Sequence, residues 1–294
     1  MDKKFRSGYI ALVGRPNVGK STLLNAFLGQ KIVIVADRQQ TTRNRIQGIK
    51  TTESAQMIFV DTPGIHTPRH ALGAAMVKAA QEALRDTDII AFVTDAARRD
   101  EDEAIMKMFE GLTMPVVCIL NKTDGRSRME ISEIMQAYGS RYPFAAVHAV
   151  SSLKKKGIEL LFENLRELLP VGPKYYDDET VTDQYERFMA AEVIREKIIR
   201  NTSEEVPHAA AVEILKWEEK KKGMVMISAA IYVEREGQKG IIIGNKGEML
   251  KIIGRQSRID IEKIIGARVF LELWVKVRRG WRDDKRMLNE LGYA

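Results

Sequence analysis

Short apolar runs alternate with longer amphipathic stretches over roughly the first 170 residues. Each run of branched and aromatic side chains has strand length and is followed by a segment with helical spacing. The predicted strands are Ile10–Val13, Met57–Asp61, Ile89–Thr94, Val116–Leu120 and Ala145–Val150, and the predicted helices are Gly19–Leu28, Ala71–Arg85, Asp102–Glu110, Met129–Tyr138 and Gly157–Leu168. This alternation predicts a doubly wound α/β domain with a mostly parallel sheet, and ligands at the carboxyl ends of its strands.

The pattern changes near residue 170. Residues 173–183 contain a proline, two tyrosines and an acidic run and follow neither period, so they predict a linker between domains at 1–172 and 184–294. In the second domain the predicted elements are a helix at Gln184–Ile199, strands at Ala209–Trp217 and Val225–Val233 joined by a turn at Lys220–Gly223, and a last strand at Arg268–Val275. We expect a smaller α+β domain.

The stretch GRPNVGKS, Gly14–Ser21, follows the first predicted strand and opens the first helix. The P-loop pattern G-x-x-x-x-G-K-[ST] surrounds a polyphosphate with backbone N–H groups, because its glycines allow close approach. Lys20 is expected to reach the β- and γ-phosphates, and the Ser21 hydroxyl to ligate Mg²⁺. The predicted nucleotide contacts here are Gly14, Arg15, Pro16, Asn17, Val18, Gly19, Lys20, Ser21 and Thr22.

A second phosphate motif, DTPG, follows the strand Met57–Asp61. The Asp61 carboxylate is expected to hold Mg²⁺ through a water molecule and the Gly64 amide to bond the γ-phosphate, with Thr62 and Pro63 between them. Catalytic roles are predicted for Lys20 and Gly64.

The polar stretch Asp37–Arg43 predicts a mobile loop before the second predicted strand. A threonine of this loop could complete the Mg²⁺ shell, and both Thr41 and Thr42 are candidates.

Two further strand ends carry residues suited to a purine base. Asn121–Lys122–Thr123–Asp124 follows Val116–Leu120, and an aspartate accepts two hydrogen bonds only from a ring with adjacent N–H donors, as in guanine. The Lys122 stem can cover the ring, and Asn121 can tie this loop to the P-loop. After the last strand, Ser151, Ser152 and Leu153 could supply a backbone N–H to the guanine O6 atom.

Charge and cysteine usage add two expectations. From Arg235 to Arg286 the surplus of cations over carboxylates equals the +7 of the whole chain, which points to nucleic acid or, second, an anionic membrane surface. The single cysteine, Cys118, lies in an apolar run and is expected to pack in the core, which fits a reducing compartment. No apolar run approaches membrane-spanning length, so a cytoplasmic protein is predicted.

These motifs, in this order, resemble a translational-type GTPase domain, in the branch that includes Era and the tRNA-modification GTPases. The resemblance favours Thr42 as the Mg²⁺ ligand and gives it a catalytic role, because that branch has a Thr-Arg pair before its second strand. Ile65 stands where other GTPases place a water-orienting glutamine, which implies slow intrinsic hydrolysis. Asn17 matches a position that could help coordinate potassium in that branch.

A G-x-x-G loop, Gly244–Gly247, lies between two apolar-periodic stretches of the second domain. Such a loop presents bare amides at a helix N-terminus and allows a nucleic-acid backbone to approach. The order helix, strand, strand, helix, GxxG, helix, strand resembles a type II KH domain. The predicted RNA contacts are Ile243, Gly244, Asn245, Lys246, Gly247, Arg278, Arg279 and Trp281. For Trp281, packing of the terminal helix is an alternative to stacking on a base.

The combination of this GTPase domain with a C-terminal KH domain resembles the Era family over essentially the whole chain. That resemblance implies a monomeric GTP-hydrolysing switch that binds small-subunit ribosomal RNA near its 3′ end and acts in assembly of the small subunit. A tRNA-modification GTPase would carry a catalytic cysteine near its C-terminus, which is missing here. The other alternative is a membrane-associated signalling GTPase whose basic C-terminal region contacts anionic lipid at the inner membrane surface.

Overall fold

The alternating pattern of the first 170 residues folds into a six-stranded sheet flanked by helices. The computed structural model describes residues 4–35, 41–97, 99–220 and 223–293, without the side chain of residue 99. The strands are β1 (Arg6–Val13), β2 (Ile46–Thr51), β3 (Ala55–Asp61), β4 (Ile89–Thr94), β5 (Val116–Leu120) and β6 (Ala146–Ala149). The helices are α1 (Lys20–Leu28), α2 (Ala71–Arg85), α3 (Arg99–Met106), α4 (Arg128–Gly139) and α5 (Ile158–Leu168).

The sheet has the order β2-β3-β1-β4-β5-β6, and only β2 runs antiparallel to its neighbour β3. The mostly parallel sheet is therefore confirmed. The pattern missed β2, because its residues IQGIKT mix polar and apolar side chains over only six positions. β3, β4 and β5 are buried along their whole length, which is why their apolar runs were easy to find.

The chain divides into two compact units. Unit 1 comprises residues 1–33, 42–67 and 76–183, and unit 2 comprises residues 34–41, 68–75 and 184–294. In unit 1, Phe92, Phe109 and Cys118 belong to one apolar cluster on the sheet. Cys118 is fully buried, as predicted, and burial raises the pKa of its thiol. This cysteine fills space and is not a nucleophile.

The predicted linker is held along the surface of unit 1. The Gln56 side chain, buried in β3, accepts hydrogen bonds from the backbone N–H groups of Tyr175 and Tyr176, at 2.7 and 3.0 Å. Its amide donates to the Tyr176 carbonyl oxygen at 2.8 Å, and the Ile49 N–H of β2 donates to the Val181 carbonyl oxygen at 2.8 Å. Residues 175–181 therefore follow the edge of the sheet rather than forming a free tether.

Unit 2 contains a three-stranded sheet covered by helices. Its elements are α6 (Glu186–Asn201), α7 (Val206–Ala209), β7 (Ala211–Lys220), β8 (Met224–Val233), α8 (Glu236–Ile243), α9 (Glu248–Ile265), β9 (Arg268–Val277) and α10 (Lys285–Glu290). β7 pairs antiparallel with β8, and β8 pairs parallel with β9. This order confirms the predicted KH arrangement. The predicted turn between β7 and β8 lies partly outside the described residues, at 221–222.

Two segments from the N-terminal half of the chain belong to unit 2. The Arg195 guanidinium, fully buried in α6, donates to the carbonyl oxygen of Thr41. In the second segment the Ala71 N–H donates to the Asp283 carboxylate at 2.9 Å. The predicted mobile loop is described only at its end, since residues 36–40 lie outside the described residues. Among the described helices, none is both long and apolar enough to cross a membrane.

Candidate functional site

The loop between β1 and α1 is shaped by two glycines. Gly14 has φ +155° and Gly19 has φ +97°, a range that residues with side chains rarely adopt. A β-carbon on Gly14 would lie 2.1 Å from the Val93 carbonyl oxygen, and one on Gly19 would lie 2.3 Å from the Asn121 amide nitrogen. No described side chain caps the N-terminus of α1. Its first amide groups are therefore left for an anion.

The remaining predicted contacts of the P-loop differ in their exposure. Pro16 is half-buried, Val18 is buried, and Asn17 is exposed with φ +64°. Thr22 lies in the first turn of α1.

The ammonium group of Lys20 is buried at the centre of this loop. It donates to the carbonyl oxygens of Gly14 and Arg15, at 3.1 and 3.0 Å. Burial lowers the pKa of Lys20 to about 8, an effect that the Asp61 carboxylate opposes and the Arg15 cation reinforces. A phosphate oxygen would replace these weak carbonyl partners with a charged one, and contact with phosphate is what the P-loop pattern predicts for Lys20.

Three oxygen-bearing side chains meet beside this lysine. The Ser21 hydroxyl donates to Asp61 Oδ2 at 2.6 Å and lies 2.8 Å from the Thr42 hydroxyl, which is 3.2 Å from the same Asp61 oxygen. The other Asp61 oxygen is buried and has no hydrogen-bond partner among the described residues. Burial raises the pKa of Asp61, while Lys20 lowers it. Hydroxyl and carboxylate oxygens with spare capacity are the ligands Mg²⁺ prefers, so these residues fit that ion.

Of the two candidate threonines, Thr42 places its hydroxyl in this cluster. The DTPG turn lies beside it, with the Thr62 hydroxyl donating to the Leu12 carbonyl oxygen at 2.8 Å. Pro63 is buried, and Gly64 packs so closely that a β-carbon would lie 2.6 Å from the Pro16 nitrogen. Ile65 packs against the apolar cluster that contains Phe92. Its side chain has no polar atom with which to orient a water molecule.

The predicted base contacts converge at the ends of β5 and β6. The Asn121 amide donates to the Val18 carbonyl oxygen at 2.9 Å, and its Oδ1 accepts from the Ser152 backbone N–H at 3.0 Å. Asn121 therefore joins the P-loop to the Ser151–Leu153 turn. The Ser151 hydroxyl donates to Asp124 at 2.6 Å and lowers the pKa of that carboxyl. Asp124 is thus kept ionised as an acceptor.

The other two base-site candidates are exposed. Lys122 has φ +59° and extends its side chain along the surface, and Leu153 is 75% exposed at the turn.

A buried ion network behind the P-loop was missed by sequence reasoning. Arg15 Nε donates to Asp102 at 2.7 Å and Arg15 Nη2 donates to Asp95 at 2.6 Å. The second Asp102 oxygen accepts from the hydroxyls of Thr94 and Tyr138, at 2.6 and 2.7 Å. Burial opposes the charge on Arg15, but the two carboxylates outweigh it and raise the pKa of Arg15. The Arg15 side chain therefore anchors the loop from behind, and only the Arg15 backbone is left for a ligand.

Asp95 also reaches the base loop, since its Oδ2 lies 3.7 Å from Lys122 Nζ. It immediately follows β4, so the rule that located Asp61 and Asn121 at strand ends would have found it too. Asp102 lies within α3, away from any strand end, so that rule does not reach it.

In unit 2, the GNKG loop joins α8 to α9 through three residues with positive φ. Gly244 has φ +73°, Lys246 +50° and Gly247 +83°. A β-carbon on Gly244 would lie 2.6 Å from that of Met249, whereas Gly247 faces open space at the N-terminus of α9. Ile243 is half-buried, and Asn245 and Lys246 are exposed. The loop therefore presents its backbone and one cation to solvent, as an RNA-clamping loop requires.

Next to this loop, α9 and β9 border a groove of about 560 Å³. Lys251, Arg255 and Arg258 line one side, one or two helical turns apart, and Leu271 and Leu273 line the other. These three cations were not among the predicted RNA contacts, although they recur at helical spacing along the helix that follows the GNKG loop. The predicted contacts Arg278 and Arg279 are exposed at the end of β9.

The prediction that Trp281 stacks on a base is wrong. Its side chain is only 1% exposed, and its indole N–H donates to the Ala209 carbonyl oxygen at 2.9 Å. The centroids of the Trp281 and Tyr293 rings are 6.2 Å apart, and Leu288 is buried in the same terminal segment. Trp281 holds the C-terminal segment in the core of unit 2, which is the alternative that the sequence left open.

Proton uptake should accompany nucleotide binding above pH 8. Lys20 has a pKa of about 8 without phosphate, and a phosphate partner raises it, so GTP affinity should be constant below that pH and fall as pH rises above it. The fall is at most about tenfold per pH unit for one proton. Calorimetry at pH 7 and 9, in buffers of different ionisation enthalpy, measures this uptake. A Lys78→Ala control, at an exposed lysine of α2, should behave like the parent. Equal affinity at both pH values without uptake would contradict the assignment.

Asp102→Asn should weaken GTP binding as well as stability. Breaking a buried ion pair costs about 3–5 kcal/mol, and Arg15 would lose one of its two anchors. The double variant Arg15→Met/Asp102→Leu should regain much of the stability, because apolar pairs replace buried ion pairs well, but not the GTP affinity. Urea unfolding and nucleotide titration measure the two effects. The control is Asp88→Asn, which removes the charge of the carboxylate that accepts the Tyr9 N–H at the opposite end of the strands. If affinity followed stability in every variant, Asp102 would be merely structural.

Two family models match separate parts of the chain. One, described as a 50S ribosome-binding GTPase, matches residues 9–122, and a KH domain model matches residues 205–282. Over 296 residues the chain is 49% identical to GTPase Era of Geobacter metallireducens, covering 100% of this chain and 99% of the relative. It is 47% identical to GTPase Era of Clostridium tetani over 292 residues, covering 98% and 99% of the two chains.

Solved structures of Era superpose on nearly the whole chain. A structure of Era in complex with MgGDPNP and nucleotides 1506–1542 of 16S ribosomal RNA matches with a TM-score of 0.95 and 38% identity, covering 99% of both chains. A variant of Aquifex aeolicus Era bound to GDP·AlF4⁻ matches with a TM-score of 0.94 and 37% identity, covering 99% and 100%. The chain therefore belongs to the Era family of GTPases, which hydrolyse GTP in a P-loop domain that precedes a KH domain.

Proposed function

We propose that this protein binds small-subunit ribosomal RNA near its 3′ end through the GNKG loop and acts, under control of GTP, in assembly of the small ribosomal subunit. The observation that carries the proposal is the full-length similarity to Era in complex with MgGDPNP and 16S ribosomal RNA. The GTPase model names the 50S subunit, but it ends at residue 122, before the GNKG loop. The identity of the RNA in this proposal therefore rests on the Era relative, because that match includes the KH domain.

In this proposal the residues of unit 1 share the work of holding and hydrolysing GTP. Lys20 exchanges its loop carbonyls for phosphate oxygens, and the Gly64 amide bonds the γ-phosphate. Ser21 and Thr42 would hold Mg²⁺, with Asp61 binding through water, and the ion would neutralise charge on the β- and γ-phosphates. Asp124 accepts the guanine N–H groups. Catalysis rests on positioning and on charge, since none of these residues is a nucleophile.

A link from nucleotide to RNA starts at two consecutive residues. The Thr42 hydroxyl lies among Ser21 and Asp61, whereas the carbonyl of Thr41 accepts a hydrogen bond from Arg195 of unit 2. Loss of the γ-phosphate would release Thr42. Because Thr41 directly precedes Thr42, this release would alter the hydrogen bond between the Thr41 carbonyl oxygen and Arg195. This is the order–disorder route by which switch loops respond to hydrolysis.

We also propose that the protein is a monomer and that it acts in the cytoplasm on the small ribosomal subunit during assembly. Peripheral contact with the cytoplasmic membrane face is a separate prediction, which sedimentation with anionic vesicles tests.

Potassium should accelerate GTP hydrolysis relative to sodium. Asn17 is exposed at the rim of the P-loop, where its amide oxygen could help bind a monovalent ion beside the phosphates. Without that ion, turnover should lie well below the roughly 1–100 s⁻¹ of kinases, because Ile65 cannot orient water. Phosphate release measured in both salts, for the parent and for Asn17→Ala, tests the idea. Fast hydrolysis in sodium that Asn17→Ala leaves unchanged would count against it.

Gly247→Asp should nearly abolish RNA binding while GTP binding persists. The new carboxylate would lie where an RNA phosphate approaches, and the open space around Gly247 leaves room for it in the fold. Aspartate tolerates positive φ better than most residues, which limits the strain. By contrast, Lys246→Ala should weaken binding to all sequences and lower the salt slope by ~0.7, because one phosphate is no longer neutralised.

Filter binding to the 1506–1542 fragment and to a scrambled sequence, over a salt series, measures both variants. Normal binding by Gly247→Asp would show that the GNKG loop is not the clamp.

A further inference from the structure

The outer face of the sheet in unit 2 is apolar at one end. Along β9, Leu271 and Leu273 pack against the core, and Phe270 and Trp274 alternate with them on the opposite face. On β8, Met226 pairs with Phe270 in the sheet register. The outer face therefore presents two aromatic rings and a methionine to the side away from the helices.

This end of the face is open to solvent. Phe270 is 51% exposed, Trp274 56% and Met224 40%. On β8, Ala230, which pairs with Trp274 in the sheet register, and Tyr232 are buried on the same face. Single exposed apolar residues are common, but exposed apolar side chains that lie together, as Phe270 does beside Met226 of the paired strand, are typical of an interaction site.

The charges along the same strand point to an anionic partner. The face that carries the two aromatic residues also carries the cations Arg268, Lys276 and Arg278. In β9, Glu272 is the one carboxylate on that face. Arg268 and Lys276 form no ion pair with any other residue that the structure describes. Glu272 lies between the two rings, but the three cations of the face outnumber it. Aromatic rings flanked by cations suit single-stranded RNA, whose bases stack while its phosphates are neutralised.

The same strand also borders the proposed RNA groove. Leu271 and Leu273, on the inner side of β9, line the groove beside the GNKG loop. A KH domain clamps about four nucleotides, whereas the fragment bound by the Era relative runs from nucleotide 1506 to 1542. Most of such an RNA has to lie outside the groove, and an RNA strand leaving it at the edge strand β9 meets the outer face next.

We propose that the outer face of β9 is a second RNA site, at which unpaired bases stack on Phe270 and Trp274. Four residues of strand separate the two rings by about 13 Å, so each ring takes a base of its own. Arg268 and Lys276 neutralise the flanking phosphates. This inference rests on the proposed RNA-binding function and adds a second binding surface to it.

The test compares RNA lengths. Oligonucleotides from the 1506–1542 fragment, from six nucleotides to the full length, are titrated against the full chain and against Phe270→Ser/Trp274→Ser. Both proteins should bind the shortest RNA equally, and the double variant should bind the full fragment at least tenfold more weakly, since one stacked base contributes about 1–3 kcal/mol. Trp274→Phe should keep the affinity of the parent, because phenylalanine also stacks, but lose the fluorescence quenching that a base on Trp274 causes.

A matched control removes apolar surface elsewhere. Met129→Ser/Leu160→Ser changes two residues of unit 1 that are 71% and 69% exposed, and it should bind every RNA like the parent. If Phe270→Ser/Trp274→Ser bound the full fragment as tightly as the parent did, the second site would be excluded and a protein would be the better occupant. If the parent itself failed to prefer the fragment over a scrambled RNA, the proposed function and the second site would both fall.

Discussion

The buried ammonium group of Lys20 is the feature on which the nucleotide site depends. It lies among loop carbonyls and near the Asp61 carboxylate, and burial lowers its pKa to about 8. A buried cation is costly without an anion, so the loop can be compact only if other groups hold it in shape. Arg15 supplies that support through Asp102, and Asn121 supplies it through the Val18 carbonyl oxygen. The donors of the site are therefore in place before a phosphate binds, which favours its binding.

The supports are themselves connected at the carboxyl edge of the sheet. Asp95 contacts Arg15 directly and approaches Lys122, so one carboxylate lies between the phosphate loop and the base loop. Asn121 makes a second connection through Val18 and Ser152. Parallel strands create this arrangement, because their ends meet at one edge and bring residues that are distant in sequence within hydrogen-bonding distance.

Unit 2 uses the same physical device for a different anion. Gly247 starts α9 without a capping side chain, as Gly19 starts α1, and in both cases backbone amides are left open to an anion. The two loops differ in access. Gly19 is closed in by Asn121, whereas Gly247 faces open space beside a groove with three cations. An enclosed loop suits a small polyphosphate of one shape, and an open loop suits a long polymer that approaches from outside.

The sequence by itself determined the strand–loop–helix context of the P-loop, the mostly parallel sheet and the KH order of elements. Each of these follows from the local spacing of apolar residues or from a glycine where the backbone adopts positive φ. None depends on distant residues. Sequence reasoning missed β2, whose six residues alternate too weakly, and it included Trp281 among the RNA contacts with packing as the alternative. Only the tertiary structure decided that Trp281 is buried against Ala209 and that Asp102 anchors Arg15, because both depend on partners more than 70 residues away. The tertiary structure alone also decided that Gln56 holds the predicted linker, because contacts between distant residues leave no periodic pattern in the sequence.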